Sequence, residues 1–101
     1  MANQAQELAK LETFFEEILQ KMDQQFTSHE FFLRLLHAHQ NEYVAALAAY
    51  ADKGRPFKDL HWAIVKQLQK LEGTSITKLQ KNYSSRDIFG CASTTTLWRK
   101  K

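Results

Sequence analysis

The sequence predicts an all-α fold: a three-helix bundle, built from an antiparallel helical hairpin and a third helix, that carries a small basic helical segment at its C-terminal end. Three observations predict it. Apolar residues recur at steps of three and four through three long stretches. A helix-start signal stands at the junction of the first two stretches. Only 3 glycines and 1 proline occur in 101 residues, too little turn punctuation for a protein made of many short strands. The length suits one domain, with residues 1–72 as the bundle and residues 73–101 packed on it.

The first helix is predicted over residues 4–25. Leu8, Leu11, Phe15, Ile18 and Met22 fall on one face, with Phe14 and Leu19 beside them. Asn3 is placed to cap it, and Glu17 and Lys21 stand one turn apart. Thr27 and Glu30 then read as a capping box, and Phe26 with Phe31 as its hydrophobic staple. So short a connection folds the second helix back on the first. This helix is predicted to run to Lys53 on a face of Phe32, Leu35, Leu36, Tyr43, Val44, Leu47 and Tyr50, with five alanines near its end that leave room for another helix. Gly54 closes it and Arg55-Pro56 forbids its continuation. The third helix spans residues 56–72 on Phe57, Leu60, Ile64, Leu68 and Leu71, and stops at Gly73. Beyond it, Ile76, Leu79 and Tyr83 stand at helical spacing and predict a short helix over residues 75–83. Ser84 with Asp87 offers a further cap, Gly90 ends that turn, and Ser93 is placed to cap a last helix over residues 93–101. Three consecutive threonines also favour extended structure, so a strand is the alternative there.

Charge divides the chain. Residues 1–52 carry a net −5 and residues 53–101 a net +8, within an overall +3. Such asymmetry points to a polyanionic or acidic partner for the basic half, or to attraction between the halves. The single Cys91 excludes an internal disulfide framework and suggests a reducing, cytoplasmic setting. The N-terminal residues read as no secretory signal, and the longest apolar run is far shorter than a membrane span of about 20 residues. Enzymatic chemistry is not expected. His37 and His39 are two residues apart, which parts them on a helix, and His29 and His61 have no partner at metal-ligand spacing. Cys91 has no histidine beside it to act as base. Neither metal nor cofactor is therefore expected.

The stretch from Ser84 to Lys101 places Phe89-Gly90, a small-residue turn, and then Ser93-Thr94-Thr95-Thr96-Leu97-Trp98-Arg99. It resembles the helix-turn-helix of small bacterial DNA-binding proteins of the MerR and excisionase kind, over the last fifth of the chain. The resemblance implies that Ile88, Phe89 and Leu97 pack inward and that Ser93, Thr94 and Thr95 face a DNA groove. It likewise implies that Arg99 and Lys100 hold phosphates, with Lys78, Lys81 and Arg86 as flanking contacts and Trp98 as an anchor. The function expected on this reading is non-enzymatic, regulatory nucleic-acid binding, DNA before RNA, by a homodimer joined through its long helices. The alternative is a helical protein-interaction module, self-associating or bound to an acidic partner.

Overall fold

The computed structural model describes residues 3–101 and is α+β, not all-α. Its elements in chain order are helices α1 (Gln4–Glu12) and α2 (Phe15–Lys21), strand β1 (Gln25–Thr27), helices α3 (Ser28–Ala38) and α4 (Gln40–Ala49), a 3-10 turn (Ala51–Lys53), helix α5 (Pro56–Lys70), and strands β2 (Ile76–Arg86) and β3 (Ala92–Lys100). The strands form one antiparallel sheet in the order β1-β3-β2.

Both predicted long helices are broken. The first breaks where the Thr13 hydroxyl donates to the Lys10 carbonyl at 2.6 Å, a side-chain bond that competes with the helix ladder. The second breaks at His39, whose backbone (φ −136°, ψ 60°) leaves the helical region. The two breaks meet: the Phe14 and His39 rings stack at 3.6 Å, and Glu17 bonds His39 Nε2 at 2.6 Å. That hydrogen bond, ahead of the imidazole's charge, holds the Glu17 carboxyl below its usual range. Between the breaks the predicted start signal forms as read. Thr27 Oγ1 accepts from the Glu30 N–H and Glu30 Oε1 accepts from the Thr27 N–H, with Phe26 and Phe31 both fully buried. Gly54 closes the 3-10 turn at φ 76°, a conformation costly for any residue with a Cβ.

The predicted helices over residues 75–83 and 93–101 are strands. Ten residue steps on β2, from Ile76 to Arg86, face eight on β3, from Lys100 to Ala92, so β2 carries two bulged residues. One irregularity falls between Lys78 and Gln80, the other between Gln80 and Tyr83, where Asn82 takes φ 55°. The helical spacing of Ile76, Leu79 and Tyr83 is thus no shared face: Ile76 is buried, whereas Leu79 and Tyr83 are exposed. The hairpin turn is locked by Asp87, whose Oδ1 accepts from the Phe89 and Cys91 N–H groups, and by Arg86, which donates to the Gly90 carbonyl.

One core joins both parts. Leu11, Phe15, Ile18, Phe31, Leu35, Tyr43, Leu60, Ile64 and Leu68 from the helices pack with Phe26, Ile76 and Trp98 from the sheet. Trp98 is fully buried, and its Nε1–H donates to Ser28 Oγ at 2.9 Å, tying the central strand to the first turn of α3. Trp98→Phe is expected to keep the fold and cost about 1–3 kcal/mol in denaturant unfolding, since it trades the larger ring for a smaller one and orphans the Ser28 hydroxyl. Trp98→Ala is expected to cost about 3–5 kcal/mol.

Candidate binding groove at an open strand edge

The two outer edges of the sheet differ. The outer edge of β2 carries both bulges together with Lys78 and Lys81, the devices by which strands discourage further pairing. On the other side, β3 is covered by β1 only through Leu97, Trp98 and Arg99, because the chain turns into α3 at Ser28. The Lys100 N–H donates to the Gln24 carbonyl at 2.9 Å, which fixes the alternation: Lys100, Trp98, Thr96 and Thr94 aim their main-chain groups to the β1 side. The β1 ladder ends at the Thr27↔Leu97 pair, and no strand pairs with residues 92–96 on that side among the described residues. This stretch holds no charge, proline or bulge.

The open edge lines a groove of about 430 Å³. Thr94, Thr95 and Thr96 form one side, Ser28, His29 and Phe32 of α3 its floor, and Arg55, Lys58, Asp59, His61, Trp62 and Val65 the far wall. A second cavity of about 600 Å³ shares His29, Phe32, Arg55, Lys58 and His61 and continues to the hairpin turn at Asp87, Ile88 and Phe89. Phe89 meets Phe57 edge-on at 4.9 Å. Lys58, His61, Trp62 and Val65 follow helical spacing on α5 and so share the face beside its buried stripe. Trp62 is 65% exposed.

The floor holds a rigid aromatic set. His61 stacks on Phe32 at 4.2 Å, and its Nε2 is hydrogen-bonded to the Tyr43 hydroxyl. Burial drives the His61 pKa down to about 4, with the nearby His29 adding to the effect, and burial pushes the Tyr43 phenol up. His29 is also lowered by burial, against the charge of Asp87 and the Arg86 carbonyl, and its Nδ1 is buried without a hydrogen-bond partner. Both rings are therefore neutral near pH 7. Among the described residues no three His, Cys, Asp or Glu side chains converge as metal ligands, and no helix is long and apolar enough to cross a membrane.

The residues predicted to contact nucleic acid all lie on the β2–β3 hairpin, in different surroundings. Thr94 and Thr95 line the groove and Ser93 the adjoining cavity. Lys78 lies over the Trp98 ring at 5.8 Å and 3.9 Å from Glu72. Arg86 secures the turn. Lys100 Nζ donates to the Met22 carbonyl at 2.7 Å, at the C-terminal end of α2. Lys81 is exposed on the bulged stretch of β2, and Arg99 is exposed on the sheet face opposite Trp98. The residues expected to pack inward divide: Ile88 and Leu97 are half-buried, while Phe89 is 62% exposed. The segment read as a recognition helix is the open strand itself. His29, Phe32, Arg55, Lys58, His61 and Trp62 were not singled out as a site from the sequence; the one signal for them is the Lys58-His61-Trp62-Val65 spacing. No known protein family, characterised protein or solved structure matches the chain.

The buried imidazole makes stability depend on pH. Folded His61 stays neutral down to about pH 4, whereas in the unfolded chain it takes a proton near pH 6.5. Its contribution is thus full above about pH 6.5 and is lost as the pH falls toward 4, on the order of 3 kcal/mol in total. Urea unfolding at pH 7, 6, 5 and 4.5 is expected to show this decline. It should be flatter in His61→Gln, which keeps a polar partner for Tyr43 but does not titrate.

Proposed function

We propose that the protein is a non-enzymatic protein-interaction module that takes an extended segment of another chain as an added strand on β3. The observation that carries this reading is the contrast between the two sheet edges: β2 is bulged and lysine-bearing, whereas β3 is bare from Ala92 to Thr96 and opens into a groove with an aromatic floor. Main-chain pairing supplies affinity in this mode and wall pockets supply selectivity. The groove volume of about 430 Å³ lies within the size of ligand clefts, roughly 300–1,000 Å³. A helix-mediated contact, the form in which such a module was expected from the sequence, has less support: Val44 on α4 and Trp62 on α5 are exposed, but Phe31, Phe32, Leu35, Leu60, Ile64 and Leu68 are buried within the chain. Nucleic-acid binding also has less, because Lys78, Arg86 and Lys100 are engaged by groups of the chain itself.

Thr94→Pro tests the reading. Its missing N–H points away from the β2 ladder, so the fold is retained at a cost of about 1 kcal/mol, while strand addition weakens about tenfold from the lost bond and the blocking ring. The probe is an eight-residue peptide of alternating valine and glutamine, followed by amide NMR shifts and hydrogen-exchange protection at Thr94 and Thr96. Protection at both amides of the unaltered chain, lost at Thr96 in Thr94→Pro, supports the proposal. Peptide binding indifferent to Thr94→Pro overturns it, as does duplex DNA binding that ignores this change but is lost in Lys81→Ala/Arg99→Ala.

A further inference from the structure

We infer that the segment taken by the groove is acidic: an extended peptide whose carboxylates meet Lys58 and Arg55 while its main chain pairs with β3. The inference rests on the strand-addition reading and adds the chemistry of the partner. The open edge dictates only that the occupant be extended. What it carries is decided by the wall, because an added strand turns every second side chain toward the helices.

That wall has a positive surplus. Lys58 is exposed in the first turn of α5, and none of the ion pairs among the described residues involves it. Arg55 meets Asp59 through Nε at 3.2 Å, so its two terminal nitrogens remain for a carboxylate that approaches from the groove. The other carboxylate near the floor, Asp87, keeps its charge but belongs to the adjoining cavity by the hairpin turn, so within the groove itself Lys58 and Arg55 face only Asp59. His29 and His61 are buried enough to stay neutral and neither add to nor cancel the surplus near pH 7. Trp62, also in the groove lining and exposed, has Lys66 over its ring at 5.4 Å and adds apolar surface for the aliphatic part of a glutamate side chain.

The same charges argue against a second copy of this chain as occupant. Pairing β3 with β3 of another molecule would bring Lys58 and Arg55 of both toward one interface, and like charges there are penalised. An acidic strand gains where a second copy loses.

The experiment uses the full chain and three eight-residue peptides that alternate valine with glutamate, glutamine or lysine. Affinities come from Trp fluorescence and NMR titration at low and moderate salt. The glutamate peptide is expected to bind about fivefold tighter than the glutamine peptide and tighter still than the lysine one, with the gap narrowing as salt rises. Lys58→Glu is expected to abolish or invert the order of the glutamate and lysine peptides, read at the Thr94 and Thr96 amides; Lys58 is exposed, so the fold is kept. Equal affinity for all three peptides at Thr94 and Thr96 overturns the acidic preference and leaves strand addition standing. No peptide binding at those amides overturns both. A concentration-dependent dimer that protects Thr94 and Thr96 without peptide also overturns the inference, in favour of a second copy.

Discussion

Thr27 belongs to two structures at once, and the molecule is arranged around that conflict. It is the last residue of β1, paired with Leu97, and it is also the N-cap of α3, bound reciprocally to Glu30. An N-cap backbone is extended, so both roles are compatible at this one residue. One residue later they are not. Ser28 is helical, and the ladder that β1 has begun on β3 cannot go on. The capping box, worth about 1 kcal/mol in the side-chain cap alone, therefore limits β1 to three residues and leaves the rest of β3 uncovered. Trp98 prevents the sheet from sliding to close the gap, because its ring fills the core and its indole N–H is held by Ser28.

This junction was readable from the sequence, since it rests on neighbours: Phe26, Thr27, Glu30 and Phe31 lie within six residues. The same holds for α5, bounded by Pro56 and Gly73 and buried through Leu60, Ile64 and Leu68. What could not be read depends on distant partners. The helix breaks at Thr13 and His39 carry no proline or glycine; they coincide because Phe14 and His39 stack across the hairpin. The strands were hidden because the bulges of β2 interrupt its two-residue alternation, so that no strand pattern stands out between Ile76 and Tyr83. Ser93 to Thr96 could have been strand or helix by composition, and pairing with Thr94↔Ser84 and Thr95↔Tyr83 decided it.

The charge division of the chain is not resolved by pairing between its halves. The acidic first half and basic second half do not neutralise each other through ion pairs: the pairs among the described residues are Glu7–Lys10, Glu17–His39, Asp59–Arg55 and Glu72–Lys78, each within one half. Several cations instead serve carbonyls left over at element ends. Lys100 reaches Met22, Lys101 reaches Gly73, and Arg86 reaches Gly90. A lysine used this way satisfies an orphan acceptor and favours the negative end of a helix. It is then no longer free to meet a phosphate, and net charge counted along the chain overstates what the surface can offer.

The threonine run shows how a residue pattern can mark a site for a reason other than the one first read into it. As the start of a recognition helix, Thr94 and Thr95 would act through their hydroxyls. On β3 they act through main-chain groups, and the side chains matter chiefly because β-branching favours extended backbone. A flexible edge would have to be ordered by its ligand, at about 1–2 kcal/mol for each residue fixed. An edge already straightened by three threonines, paired to β2 on one side and anchored by Trp98 at its end, meets most of that cost in the folding of the chain itself. This preorganisation is what lets so few exposed main-chain groups suffice for recognition, and it leaves selectivity to the wall that faces them, where α5 sets Lys58 and Trp62 one turn apart.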